Sequence, residues 1–190
     1  MMADLEKLYR TAGELSDFAL PRYDSLPEIE LYMDQLTGYL NKLLCRICKS
    51  EDGTPLTPNR VNNYVKDGRI ERPVQKKYDR DRIAMLYMLC CTKQNLTLPE
   101  ASSLLSLFKG DTKALYNEFC SLQEDIVKRC SAELASTAAD QDALREKALE
   151  LVLRSTAERF IAEAIIASLV PEEEPEEKKE KTKKEKKKDK

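Results

Sequence analysis

The sequence predicts an all-α protein: a winged helix-turn-helix-like N-terminal domain with a short β-hairpin wing, then a C-terminal helical hairpin or dimerisation region. Three observations predict it. Apolar residues recur at the 3.6-residue helical period in successive segments, nearly all opened by a capping residue. Residues 56–82 combine a sharply bounded short helix with a dense set of Arg, Lys and Asn. From 111 to 170 the chain holds two long helical patterns with no strand signal between them.

In order, the expected units are an N-terminal helix within 1–19, a winged-helix-like domain over 20–110, a helical region over 111–170 and a charged tail over 171–190. Residues 4–19 place Leu5, Leu8, Tyr9, Ala12 and Leu15 on one side of a helix. Residues 20–24 read as a linker. Ser25 and Glu28 then read as a capping box opening a long helix, with Ile29, Tyr32, Met33, Leu36, Leu40, Leu43, Leu44 and Ile47 in period to about Cys48. Glu51-Asp52-Gly53 marks the turn that follows.

Thr57 is placed to cap the next helix, Pro58 sits at its first position and Gly68 stops it. Val61, Tyr64 and Val65 give it one narrow apolar stripe; the opposite face holds Asn59, Asn63 and Lys66, flanked by Arg60 and Asn62. In 69–78, Ile70 and Tyr78 can anchor a hairpin wing and Pro73 a turn, leaving Arg72, Gln75, Lys76 and Lys77 outside. Asp79 caps a helix to about Lys93 that is apolar nearly all round and therefore central. Thr97 and Glu100 form a further capping box, opening a helix with Ala101, Leu104, Leu105 and Phe108 inward and Gly110 as its stop.

Residues 111–137 and 140–170 read as two helices in which eleven acids face seven bases. The last carries two apolar stripes, one through Leu144, Ala148, Leu151 and Val152, the other through Leu153, Phe160, Ile161, Ile165 and Leu169. So wide an apolar surface needs cover, from the first domain or from the same helix of a second chain. Residues 171–190 are almost purely charged, nine lysines and eight acids, and are expected to stay disordered as a solubilising or DNA-tethering tail.

Charge locates the expected function. The whole chain carries a formal −2, yet residues 59–82 hold eight cations against four anions. A local excess of this kind is the footprint of phosphate contact, and Asn, Arg and Lys have the donors and acceptors to read base edges. Asn59, Arg60, Asn62, Asn63 and Lys66 are accordingly the expected base readers, and Arg69, Arg72, Gln75, Lys76 and Lys77 the expected phosphate contacts. The expected partners are double-stranded DNA and a second copy of the chain. A helical protein-interaction module without DNA binding is the competing reading, and a small-molecule effector between the C-terminal helices stays open.

No histidine occurs and the five glycines stand singly, so neither a histidine base nor a phosphate-cradling loop is available. Cys45 and Cys48 have metal or redox spacing, without a second such pair. No catalytic residue, cofactor or metal is expected. Without a signal-peptide pattern or a membrane-length apolar run, the chain is expected in the cytoplasm, its six cysteines reduced.

Two resemblances bear on this reading. NNYVKDGRI followed by KKYDRDRIAMLYMLCCTKQNLTLPEASSLLSLF resembles the MerR-type winged helix, in which an aromatic, acidic and Gly turn ends the recognition helix and a Tyr closes the wing. The pattern departs from it at Asn62 and Asn63, where Arg-Tyr is typical, and in the roughly eight residues before Thr57, where a three- or four-residue turn is usual. LPRYDSLPEIELYMDQLTGYL followed by PLTPNRVNNYVKDGRI resembles a bacterial family catalogued as domain of unknown function 1836, covering about 20–110. That resemblance implies a transcriptional regulator.

Overall fold

A computed structural model describes residues 5–48, 53–108, 110–137 and 140–170. The expected tail at 171–190 and Glu51-Asp52 of the expected turn lie outside the described residues. Within them the chain forms seven helices and one two-stranded sheet: α1 (Leu5–Ser16), β1 (Leu31–Tyr32), α2 (Met33–Leu44), α3 (Pro58–Lys66), β2 (Lys77–Tyr78), α4 (Arg80–Thr92), α5 (Leu98–Ser106), α6 (Thr112–Ser136) and α7 (Gln141–Leu169). The expected all-α character holds.

The local signals act where they were placed. Thr57 Oγ1 accepts from Arg60 N at 3.3 Å and Pro58 opens α3. Gly68 leaves that helix at φ +69°, a conformation that costs a residue without Cβ nothing. Asp79 Oδ1 accepts from Arg82 N at 3.0 Å to start α4, and Thr97 and Glu100 close their reciprocal box at α5. Helix α4 is the centre of the core, with Ile83, Ala84, Leu86, Tyr87, Met88, Leu89 and Cys90 all buried. Around it pack Leu36, Leu40 and Leu44 of α2, Val61 and Tyr64 of α3, Ala101 and Leu105 of α5, and Tyr116 and Cys120 of α6.

The start of α2 is a correction. Ser25 and Glu28 form no box; Tyr23–Ser25 is a short 3-10 turn, and the helix waits until Met33. The reason is long-range: Leu31 and Tyr32 are held extended by antiparallel pairing with Tyr78 and Lys77. Gln35 Oε1 then takes the Tyr32 N–H at 3.0 Å. Ile29, expected inward, stands in solvent, and so does Phe108 past the end of α5.

The expected linker at 20–24 is a pinned strap. Leu20 is buried, its N–H donates to Glu124 Oε1 at 2.7 Å, and Arg22 grips the same carboxylate with both terminal nitrogens, at 3.0 and 2.8 Å. Tyr23 N donates to Asn117 Oδ1 at 2.9 Å. Helix α1 lies along α6, where Ser131 Oγ donates to Ala12 O at 2.8 Å. The core thus crosses the boundary expected at 110, because the first half of α6 covers α4.

Helix α7 is different. Glu133 of α6 ties to it through Lys147 at 2.6 Å and Arg154 at 2.9 and 3.0 Å, and a side of α7 meets α5. Those three carboxylate contacts hold Glu133 down at a pKa of about 2. Yet of its 29 residues only Ile166 is buried. Leu149, Val152, Leu153, Phe160, Ile161, Ile165 and Leu169 are all more than half exposed. Neither the first domain nor α6 supplies the cover that this helix needs.

Candidate nucleic-acid interface

Helix α3 is positioned by two struts that its own sequence does not reveal. The Asn41 side chain of α2 donates to Leu56 O at 2.8 Å and accepts from Leu56 N at 2.9 Å, fixing the residue just before the cap. Arg60 Nη1 donates to Thr54 O at 3.0 Å and to Pro55 O at 2.9 Å, so this guanidinium is turned back onto the entry loop. Behind the helix Val61 and Tyr64 are buried, with Lys93 Nζ 5.7 Å from the centre of the Tyr64 ring. The long entry loop is therefore compatible with a fixed α3.

The outward face follows from helical spacing. Asn59, Asn62, Asn63 and Lys66 lie at i, i+3, i+4 and i+7 and are all exposed, which sets four polar side chains on one stripe. Asn62, expected only as a flank, is a full member of it. Arg60 is the exception among the expected readers, being half-buried and holding the loop.

The wing stretch also departs from expectation in its pairing. Val74 and Lys77 form a bridge closed by Lys77 N to Val74 O at 2.9 Å, and the turn between them is Gln75 and Lys76, not Pro73. Both turn residues have positive φ, 49° and 64°, the pattern of a tight hairpin turn usually filled by Asn-Gly. A Gln and a Lys there hold a conformation unfavourable for side-chain-bearing residues, with both side chains exposed at the tip. The strand leaving the turn pairs with β1, so the sheet reaches back to the start of α2. Ile70 and Tyr78 are buried anchors, as the sequence predicts.

The cations of 59–82 divide by task. Arg82 bonds Glu71 O, Arg72 O and the carboxylates of Asp79 and Glu71, and Arg80 Nε bonds Leu26 O and Pro27 O; both brace the base of the hairpin. Lys77 lies over the Tyr32 ring at 5.4 Å. Arg69 is half-buried, its Nε without a hydrogen-bond partner. Lys66, Arg72 and Lys76 project into solvent together with Gln75. The Tyr23 hydroxyl donates to Asp81 Oδ1 at 2.8 Å; burial first, and this bond second, push its pKa up to about 12.

The sequence matches the family described as domain of unknown function (DUF1836) over residues 21–119. The chain belongs to the DUF1836 family. The matched span begins at the strap and ends within α6, so the DUF1836 unit comprises the α2–α5 core, the α3 face, the hairpin and the part of α6 that closes the core. Comparison with curated proteins and with solved structures gives no match.

Other chemistry is sparse. Among the described residues no three His, Cys, Asp or Glu side chains converge as a metal site, and no helix is long and apolar enough to cross a membrane. The Cys45 and Cys48 pair does not converge: Cys45 is exposed while Cys48 points into the core. Between α6 and α7 a cleft of about 470 Å³ is lined by Ile126, Arg129, Cys130, Glu133, Arg154 and Glu158.

Proposed function

We propose that this DUF1836 protein is a sequence-specific double-stranded DNA-binding regulator that presents α3 to a major groove and its hairpin to the adjoining phosphates. The observation that carries the reading is the exposed Asn59, Asn62, Asn63 and Lys66 stripe of α3, followed in the chain by a strained turn tipped by Lys76. Asn pairs bidentately with adenine and Lys with guanine, and a helix of about 10–12 Å diameter enters a groove about 12 Å wide. Arg72, Gln75, Lys76 and, more weakly, Lys77 and Arg69 serve the phosphates. Arg60 acts as a positioning residue that sets the pitch of α3, which differs from its expected role as a reader.

The test is selection of genomic DNA fragments by the full chain at about physiological salt, where non-specific binding weakens. Enrichment of a few fragments sharing a site, lost when Asn59, Asn62, Asn63 and Lys66 are changed to Ala, is the expected result. Changing Arg72 and Lys76 to Ala is expected to flatten the slope of log affinity against log salt by roughly one unit per lost phosphate contact, at unchanged sequence preference. Enrichment untouched by the α3 substitutions would place the reader elsewhere.

The cover for α7 in this reading is a second copy. Seven of its large apolar side chains stand more than half exposed, an unusual load for a helix with no cover. A symmetric pair also suits two half-sites on DNA. Light scattering is expected to give twice the chain mass, and Leu153→Glu with Phe160→Glu is expected to halve it. A wild-type monomer at tens of micromolar would remove the second copy and favour α7 as the docking face of an adaptor.

A further inference from the structure

Two sulfurs that the sequence keeps 43 residues apart meet just past the end of α2. Cys48 Sγ lies 3.9 Å from Cys91 Sγ, in contact and within about 2 Å of the separation in a disulfide. Cys48 is buried in the turn that follows α2, its N–H donating to Leu44 O at 2.7 Å. Cys91 is half-buried on α4 and lines an open, mainly apolar groove of about 280 Å³ with Ile47, Phe119, Leu122 and Ile126. Small oxidants therefore reach one sulfur, and the other waits directly behind it.

We propose that Cys48 and Cys91 form a reversible dithiol site, oxidised by hydroperoxides, that acts on the placement of α3. Cys91 is the attacking sulfur. The Cys48 thiol donates to it, which lowers its pKa against the opposing effect of burial. Burial pushes the Cys90 thiol up to about 12 and leaves it inert, whereas Cys48, 3.9 Å from Cys91, is the thiol placed to resolve it.

The chemistry balances. The Cys91 thiolate attacks a peroxide oxygen; an S–O bond forms, the O–O bond breaks and the alkoxide or hydroxide leaves with a proton as alcohol or water. Cys48 then attacks the Cys91 sulfenic acid, forming S–S and releasing water that carries the Cys48 proton. Two thiols lose two electrons to one hydroperoxide. A dithiol reductant reverses the step by exchange.

The site is joined to α3 from both sides. Cys48 lies four residues past the end of α2, the helix whose Asn41 holds Leu56, and two residues beyond Cys91 the Lys93 ammonium packs on Tyr64 of α3. Drawing Cys48 and Cys91 together shifts both supports at once.

The experiment uses the full, reduced chain and equimolar hydrogen peroxide, followed by alkylation and peptide mass mapping, with amide hydrogen exchange over residues 58–66 read on the same samples. Two of the six thiols should be lost, in a linked Cys48 and Cys91 peptide restored by dithiothreitol, with a several-fold change in α3 exchange. Cys48→Ser should stop at a Cys91 sulfenic acid trapped by dimedone. Should that variant fail to fold, a chain with exposed Cys45 and Cys130 changed to Ser must still lose both thiols of the pair. Six intact thiols, or oxidation confined to Cys45 and Cys130, would overturn the site; a linked pair with unchanged α3 exchange would overturn its action on α3. None of these readings involves DNA, so they stand apart from the test of DNA binding.

Discussion

Tyr87→Ala is expected to remove about 3–5 kcal/mol of stability, the range for deleting a large buried ring. Tyr87 is 1% exposed and stands where α4 meets α6, edge-on to Tyr116 and to Phe119 with ring centres 6.1 Å away in each case. Its hydroxyl donates to Gln123 Oε1 at 2.9 Å. Removing the side chain leaves a cavity that two helices cannot close without shifting, and it removes the edge contacts as well. Tyr87→Phe separates the contributions, since it loses only the hydrogen bond and is expected to cost about 0.5–1.5 kcal/mol. Urea denaturation of the three chains decides the matter. A loss under about 1.5 kcal/mol for the Ala variant would mean that α6 does not close the core over α4.

Glu124→Ala is expected to cost about 2–4 kcal/mol, because it strands the buried Leu20 N–H and one face of Arg22. The upper figure is tempered by Arg22, whose side chain is 43% exposed and can rehydrate. Burial tends to raise the Glu124 pKa, but the Arg22 and Leu20 hydrogen bonds outweigh it and hold the carboxyl below its ordinary range. A depressed folded value gives stability that is present above the unfolded pKa, about 4.3, and is lost as pH falls through the folded one. Wild type should therefore lose stability below about pH 4 more steeply than Glu124→Gln, which has no proton to take up there. Glu133 also titrates low, but it is common to both chains and cancels in the difference. Identical acid limbs would show that the strap is held by Tyr23 and Asn117 instead.

The sequence by itself determined the elements whose causes lie within a turn of their effect. Thr57 with Pro58, Gly68, Asp79, and Thr97 with Glu100 each satisfy or free a backbone group three or four residues away, so no partner element is needed to place those ends. The burial of α4 was equally legible, since apolar residues all round leave a helix nowhere to stand but the middle. The outward stripe of α3 follows from helical period alone, and membership of DUF1836 from the long motif around it.

Tertiary structure decided what depends on residues far apart in the chain. Pairing of Leu31 with Tyr78 overrode the Ser25 and Glu28 cap signal, because a ladder and a buried Leu outweigh a solvent-exposed box. Arg60 was indistinguishable from its neighbours until the loop carbonyls of Thr54 and Pro55 came within reach. Spacing pointed to Cys45 as the companion of Cys48, yet one residue faces solvent and the other the core, where folding brings Cys91 instead. The exposure of α7 is likewise a tertiary fact: its period shows apolar surface in excess, and only packing shows that α5 and α6 leave most of it uncovered. Local hydrogen bonds set where helices begin and end, whereas long-range packing sets which of their side chains are free to act.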